Sequence, residues 1–168
     1  DLGFKHITYQ QYYKGLKVEN FTYLVHEKDG IAEIANGELL EDLDIEITPI
    51  LSPEKSFEIA LTNFKSDKWA WQDENWVSEK QDDKGNSTGK PIGELMIISH
   101  AIDNKNKGVL VYRFDMLSFE PYFQYAIYIN ANNGAVEKMN SLSKQASGTV
   151  YTLYNGTQNL TTEYRGLP

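Results

Sequence analysis

The chain has 168 residues, with 16 Lys plus Arg against 24 Asp plus Glu and a formal net charge of −8, and this balance, with no Lys/Arg cluster, argues against a nucleic-acid partner. Cysteine is absent, which excludes thiol nucleophiles, Cys-based zinc sites and disulfide scaffolds. No apolar run reaches the roughly 20 residues of a membrane span, and residues 1–6 lack the apolar stretch of a signal peptide.

Residues 7–13 are rich in β-formers, and Lys14-Gly15 breaks the run. A second strand is predicted over 18–27, where Phe21, Tyr23 and Val25 alternate with Asn20, Thr22 and Leu24. Asp29-Gly30 then turns the chain into a short return strand over 31–35, closed by Asn36-Gly37. Residues 39–49 place Leu43, Ile45 and Ile47 on one side and Asp42, Asp44 and Glu46 on the other, the pattern of an edge strand or extended connector with carboxylates in water.

A helix follows. Ser52 is the expected N-cap, Pro53 takes the first helical position, and Glu54 suits the positive end of the dipole, while Phe57, Ala60, Leu61 and Phe64 recur at helical spacing. Trp69, Trp71 and Trp76 lie in a segment without a clear period. Residues 81–91 read as a polar loop. Strands are predicted over 94–102, 108–117 and 123–131, with turns at 104–107 and 118–122, and Asn132-Asn133-Gly134 leads into a short strand over 135–139. Helix followed by antiparallel strands indicates an α+β class. Residues 140–148 have linker composition, and residues 150–154 and 157–164 flank Asn155-Gly156 as a hairpin with a thin core face. A lone hairpin is marginal in water, so partners downstream of Pro168 are expected.

Catalytic patterns are not met. His6, His26 and His100 are never paired at i, i+4, and after His26-Glu27 a Lys-Asp-Gly turn replaces the helix of a zinc peptidase. The G-N-S-T-G-K run at 85–90 is one residue short of a phosphate loop and is followed by Pro91. Lys105 and Lys107 stand where a calcium loop needs oxygen ligands. The acidic stretch 38–46 reads as a solvated face, because no apolar pocket is at hand to raise one carboxyl. Tyr9, Tyr12 and Tyr13 suit strand packing with wet hydroxyls. The N-x-S/T triplets at Asn20, Asn86, Asn155 and Asn159 are weak signals in a chain this rich in Asn, Ser and Thr. The expectation is therefore a chain with no catalytic residues, no metal ligands and no cofactor of its own.

Several segments together carry a resemblance. The run His6-Ile7-Thr8-Tyr9-Gln10-Gln11-Tyr12-Tyr13-Lys14-Gly15-Leu16-Lys17-Val18, closed by Asn36-Gly37, resembles the fungalysin/thermolysin propeptide domain, with Lys17 in place of the usual proline. Residues 53–64, Leu110-Val111-Tyr112-Arg113-Phe114-Asp115 and residues 125–136 resemble the helix and strands of the PepSY domain. Ala146-Ser147-Gly148-Thr149 looks like the opening of a mature thermolysin-like peptidase. The resemblance covers residues 3–162 and is weakest over 72–93.

The resemblance implies two small cystatin-like modules, each an antiparallel sheet with a packed helix, followed by a C-terminal hairpin: a propeptide module over 1–48, a PepSY module over 49–140, a cleavable junction over 141–147, and the start of the mature domain over 148–168. It implies a prosegment that assists folding of its own downstream catalytic domain and inhibits it until cut off. Zinc and calcium are then expected only in that downstream domain, the precursor is secreted behind a signal peptide upstream of residue 1, and neither nucleic acid nor membrane is a partner. Cleavage is expected between Gln145 and Ala146, with Ser141/Leu142 as second candidate. The segment formed by Met139, Asn140, Ser141, Leu142, Ser143, Lys144 and Gln145 would lie in the peptidase cleft. The competing reading is a stand-alone PepSY-type peptide-binding module or a peptidase inhibitor acting in trans.

Overall fold

The computed structural model describes residues 3–79, 89–102, 105–152 and 156–164. Strands make up 53% of the chain and helices are few, an α+β fold dominated by sheet. Two compact units are present. The first comprises Asp1–Asn63, Ile92–Phe114 and Tyr128–Lys138, the second Phe64–Pro91, Asp115–Ile127 and Met139–Pro168.

In the first unit, β1 (Lys5–Tyr13), β2 (Leu16–Lys28) and β3 (Ile31–Gly37) form an antiparallel meander. Both turns use positive-φ pairs, Lys14-Gly15 at 48° and 86° and Asp29-Gly30 at 50° and 80°, matching the right-handed twist of the strands they join. The order then continues from β2 to β5 (Glu94–Ile102), β6 (Lys105–Glu120), β7 (Tyr122–Asn130) and β8 (Val136–Ser141), of which β6, β7 and β8 run on into the second unit. The β2–β5 contact is a single parallel pairing, Val18 with Ile97, in a sheet expected to be antiparallel throughout. Apolar runs at the sheet centre supply the core: Val18, Met96, Ile97, Val111, Phe114 and Ile129 are each at most 1% exposed. Helix α1 (Pro53–Thr62) starts as its residues dictate, with Ser52 Oγ accepting from the Lys55 N–H at 3.2 Å, a cap that contributes about 1 kcal/mol. Its Phe57 meets Phe114 at 5.5 Å between ring centroids.

Residues 38–52 contain no strand. The expected alternation survives there without a ladder: Leu43, Ile45 and Ile47 are half-buried while Asp42, Asp44 and Glu46 face solvent. Leu43 and Ile45 lie over Gly108, where a Cβ would collide with Leu43 Cδ2. The Glu46 carboxylate turns back to accept from the Thr48 hydroxyl at 2.9 Å and from the Ile47 and Thr48 N–H groups.

The second unit resolves the tryptophan segment that has no sequence period. It folds as β4 (Lys68–Trp69), a 3-10 turn over Ala70–Gln72 and α2 (Glu74–Glu79), and the reason is aromatic packing. Phe64 stacks on Phe123 at 5.3 Å and stands edge-on to Trp69 at 6.2 Å, while Trp69 stacks on Trp71 at 4.6 Å.

Two further differences concern turns and linker. Strand β6 begins at Lys105, so residues 105–107 expected as turn pair with His100, Ala101 and Ile102 instead, and Asp103 and Asn104 lie outside the described residues. Residues 140–148, expected as a linker, contain the end of β8 and the start of β9 (Lys144–Thr152), which pairs antiparallel with β10 (Gly156–Tyr164). Ladder pairing with β10 outweighs the weak strand propensity of Ser, Gln and Gly. Of the polar loop expected over 81–91, residues 81–88, with most of the G-N-S-T-G-K run and Asn86, lie outside the described residues, as does Asn155.

Candidate functional site

The His6-to-Val18 run forms β1, its turn and the start of β2, and its consecutive glutamines serve the backbone. Pairing is regular from Lys5 opposite Glu27 to Gln10 opposite Thr22 and resumes at Tyr12 opposite Lys17, so β2 bulges outward over residues 18–21. Asn20, at φ 65°, makes the bend. The bulge takes Val18 to β5 and leaves carbonyls without a β1 partner. Gln10 fills that gap: its Nε2 donates to Val18 O at 2.7 Å and to Phe21 O at 3.0 Å. Gln11, opposite the bulge, turns its side chain to the Leu40 backbone. Tyr9 and Tyr12 remain 54% and 62% exposed. Sequence reasoning offered no signal for the bulge, because its cause is a pairing with a strand far along the chain.

The bulge also carries a carboxylate inward. Glu19 is 9% exposed, and its Oε1 accepts from the Tyr128 hydroxyl at 3.1 Å and from Arg113 Nη1 at 3.3 Å, with the Lys17 ammonium 3.0 Å from Oε2. Burial alone raises the Glu19 carboxyl, but Lys17, Tyr128 and Arg113 together outweigh it and hold the group below the ordinary glutamate range. Lys17 is thus part of the ion group that closes β2 onto β6 and β7.

An open groove of about 710 Å³ lies beside the connector, lined by Leu39, Leu40, Asp42, Asp44, Ile45 and Gly108 among others. Its carboxylates are solvated, as expected for residues 38–46.

The residues expected to form the junction, 141–147, lie in the second unit. Met139, Asn140 and Ser141 end β8, and the Leu142 N–H donates to Gln124 O at 2.9 Å, so the Ser141–Leu142 peptide is tied to β7. Leu142 and Ser143 lie between strands. Lys144, Gln145 and Ala146 open β9 opposite Tyr164, Glu163 and Thr162. Residues 139–141 and 144–146 are therefore in strands, and both expected cleavage bonds have a hydrogen-bonding neighbour strand.

Comparison with known proteins bears on the first of these segments. Residues 1–39 match the Fungalysin/Thermolysin Propeptide Motif. The match contains β1, β2 and β3 with the glutamine pair and the Asn36-Gly37 closure. The C-terminal domain of Bacillus megaterium YpeB is a solved structure similar to this chain at 19% identity and a TM-score of 0.40, over 84% of this chain and 53% of that one. The chain thus spans about half the length of that structure. No curated protein matches.

Proposed function

We propose that the chain is the prosegment of a thermolysin-like zinc metallopeptidase, an intramolecular chaperone and inhibitor of the catalytic domain attached after it. The propeptide motif at residues 1–39 is the observation that carries this reading. In this reading residues 1–48 are the propeptide module and 49–140 a PepSY module, both cystatin-like; 141–147 is the cleavable junction, and 148–168 opens the mature domain. The precursor is secreted, and the peptidase's zinc and calcium belong to the downstream domain.

The physical logic is that a catalytic domain built on non-local strand pairings folds slowly, since loop closure precedes the contacts that reward it. A rigid sheet that binds a native-like surface lowers that barrier. Inhibition follows from an extended segment. Residues 139–141 and 144–145, on either side of Leu142 and Ser143, have the strand backbone that a peptidase cleft binds through main-chain hydrogen bonds. Cleavage at Gln145–Ala146 then requires β9 to separate from β10, because a bond held in a ladder cannot enter a cleft. Removal of the prosegment is coupled in this way to opening of the hairpin.

The test is expression of the precursor with its downstream domain, followed by terminal sequencing and peptidase assay. A mature start at Ala146 or Leu142, with activity gained on processing, is expected. A start well outside residues 142–148 refutes both bonds, and a downstream sequence without a zinc hydrolase refutes the prosegment itself.

A further inference from the structure

A separate feature of the meander is independent of the prosegment reading. His6 on β1 and His26 on β2 are register partners, and their Nδ1 atoms are 2.7 Å apart, with ring centroids at 4.7 Å and ring planes at 84°. The other ring nitrogen of His26 is 3.2 Å from Asn36 Oδ1 on β3. An amide oxygen only accepts, so Nε2 of His26 carries the proton and its Nδ1 presents a lone pair. His6 Nδ1–H fills that lone pair, and one proton holds the two imidazoles together.

We propose that this pair is a binding site for a divalent copper or nickel ion. The ion takes both Nδ1 atoms as adjacent ligands: the proton leaves His6 Nδ1 to water while His6 Nε2 takes one up from water, so both imidazoles stay neutral and no net proton is released. Coordination geometry selects the metal class. A 90° pair on a square-planar ion, with bonds of about 2.0 Å, has its nitrogens about 2.8 Å apart, close to the separation present, whereas tetrahedral zinc spreads them to about 3.3 Å. The Asn36 contact is the carbonyl partner that metal-bound imidazoles use on their distal N–H to fix ring and tautomer. His6 stands exposed on the sheet, so the remaining coordination positions are open to water. Bound there, the ion clips β1 to β2 across the propeptide motif.

The experiment is titration of the chain with copper(II) chloride at neutral pH, read by electron paramagnetic resonance and by thermal unfolding. One equivalent bound with hyperfine structure from two imidazole nitrogens, and a raised unfolding midpoint, is expected. H6Q and H26Q should each weaken binding at least tenfold and leave a one-nitrogen spectrum, while H100Q, at the remaining histidine, changes neither. Asn36→Ala should weaken binding about tenfold with the two-nitrogen spectrum kept, the signature of a positioning residue. A spectrum of the unsubstituted chain without two imidazole nitrogens overturns the site, as does unchanged binding in both H6Q and H26Q.

Discussion

The Gln11 side chain pairs with both main-chain groups of Leu40, donating from Nε2 to the carbonyl oxygen at 2.9 Å and accepting the N–H on Oε1 at 2.8 Å. A side-chain amide here stands in for a strand partner. It anchors the otherwise ladder-free connector beside β1 at a residue that is 5% exposed. Gln11→Ala leaves both groups without that partner and should destabilise the fold by about 1–3 kcal/mol. Gln11→Glu keeps the acceptor, loses the donor and should fall between. Urea midpoints measure both; an unchanged midpoint in the alanine variant would contradict the anchor.

Gly37 and Gly15 separate two reasons for a glycine. At Gly15, φ is 86° but nothing lies within 4 Å of an added Cβ, so Gly15→Ala meets only backbone strain, about 1 kcal/mol. At Gly37, φ is 152° and a Cβ would run into the Thr22 carbonyl oxygen and approach Tyr23 Cα to 2.8 Å. Gly37→Ala should therefore cost more than Gly15→Ala, by roughly 2 kcal/mol or more, with β3 displaced from β2. Thermal melts of the two variants side by side give the comparison.

Glu19 makes the fold acid-sensitive. Its carboxyl is held below the ordinary value of 4.5 when folded, so its stabilisation is complete above that value and is lost as pH falls through the lower folded one. The unfolding midpoint should drop in that acid window, and the drop should be smaller in Glu19→Gln. At neutral pH the same variant should be less stable by about 1.5–3 kcal/mol, since Arg113 and Tyr128 then face a neutral amide. Identical pH profiles for parent and variant would remove Glu19 from the account.

Leu142 and Ser143 lie between β8 and β9, while Gln145 and Ala146 are paired with Glu163 and Thr162. A broad-specificity protease at low dose should nick residues 141–144 before any bond in the paired part of β9, as mass spectrometry would show. First cuts within residues 146–152 would mean that the hairpin offers no protection.

How much of this was legible in the sequence differs by element. Ser52-Pro53 and the β5 bounds could be read directly, because capping and apolar runs are local signals. The propeptide motif could be read as a string, and residues 1–39 match it. What Gln10 and Gln11 do in it could not, since the Val18–Ile97 pairing that creates the bulge joins distant segments. The tryptophan segment has no period because ring contacts, not a repeating face, set its shape. The junction composition pointed to coil, and the strand there depends on β10.

The proposal at the centre is that the chain guides and blocks a peptidase by surface complementarity. Its most direct test is to add the purified chain to the denatured, then to the folded, catalytic domain proposed to follow it, and to record recovered activity and steady-state hydrolysis. Faster recovery of native enzyme together with stoichiometric inhibition of the folded enzyme is predicted. Recovery and hydrolysis unchanged by an excess of the chain would contradict the account.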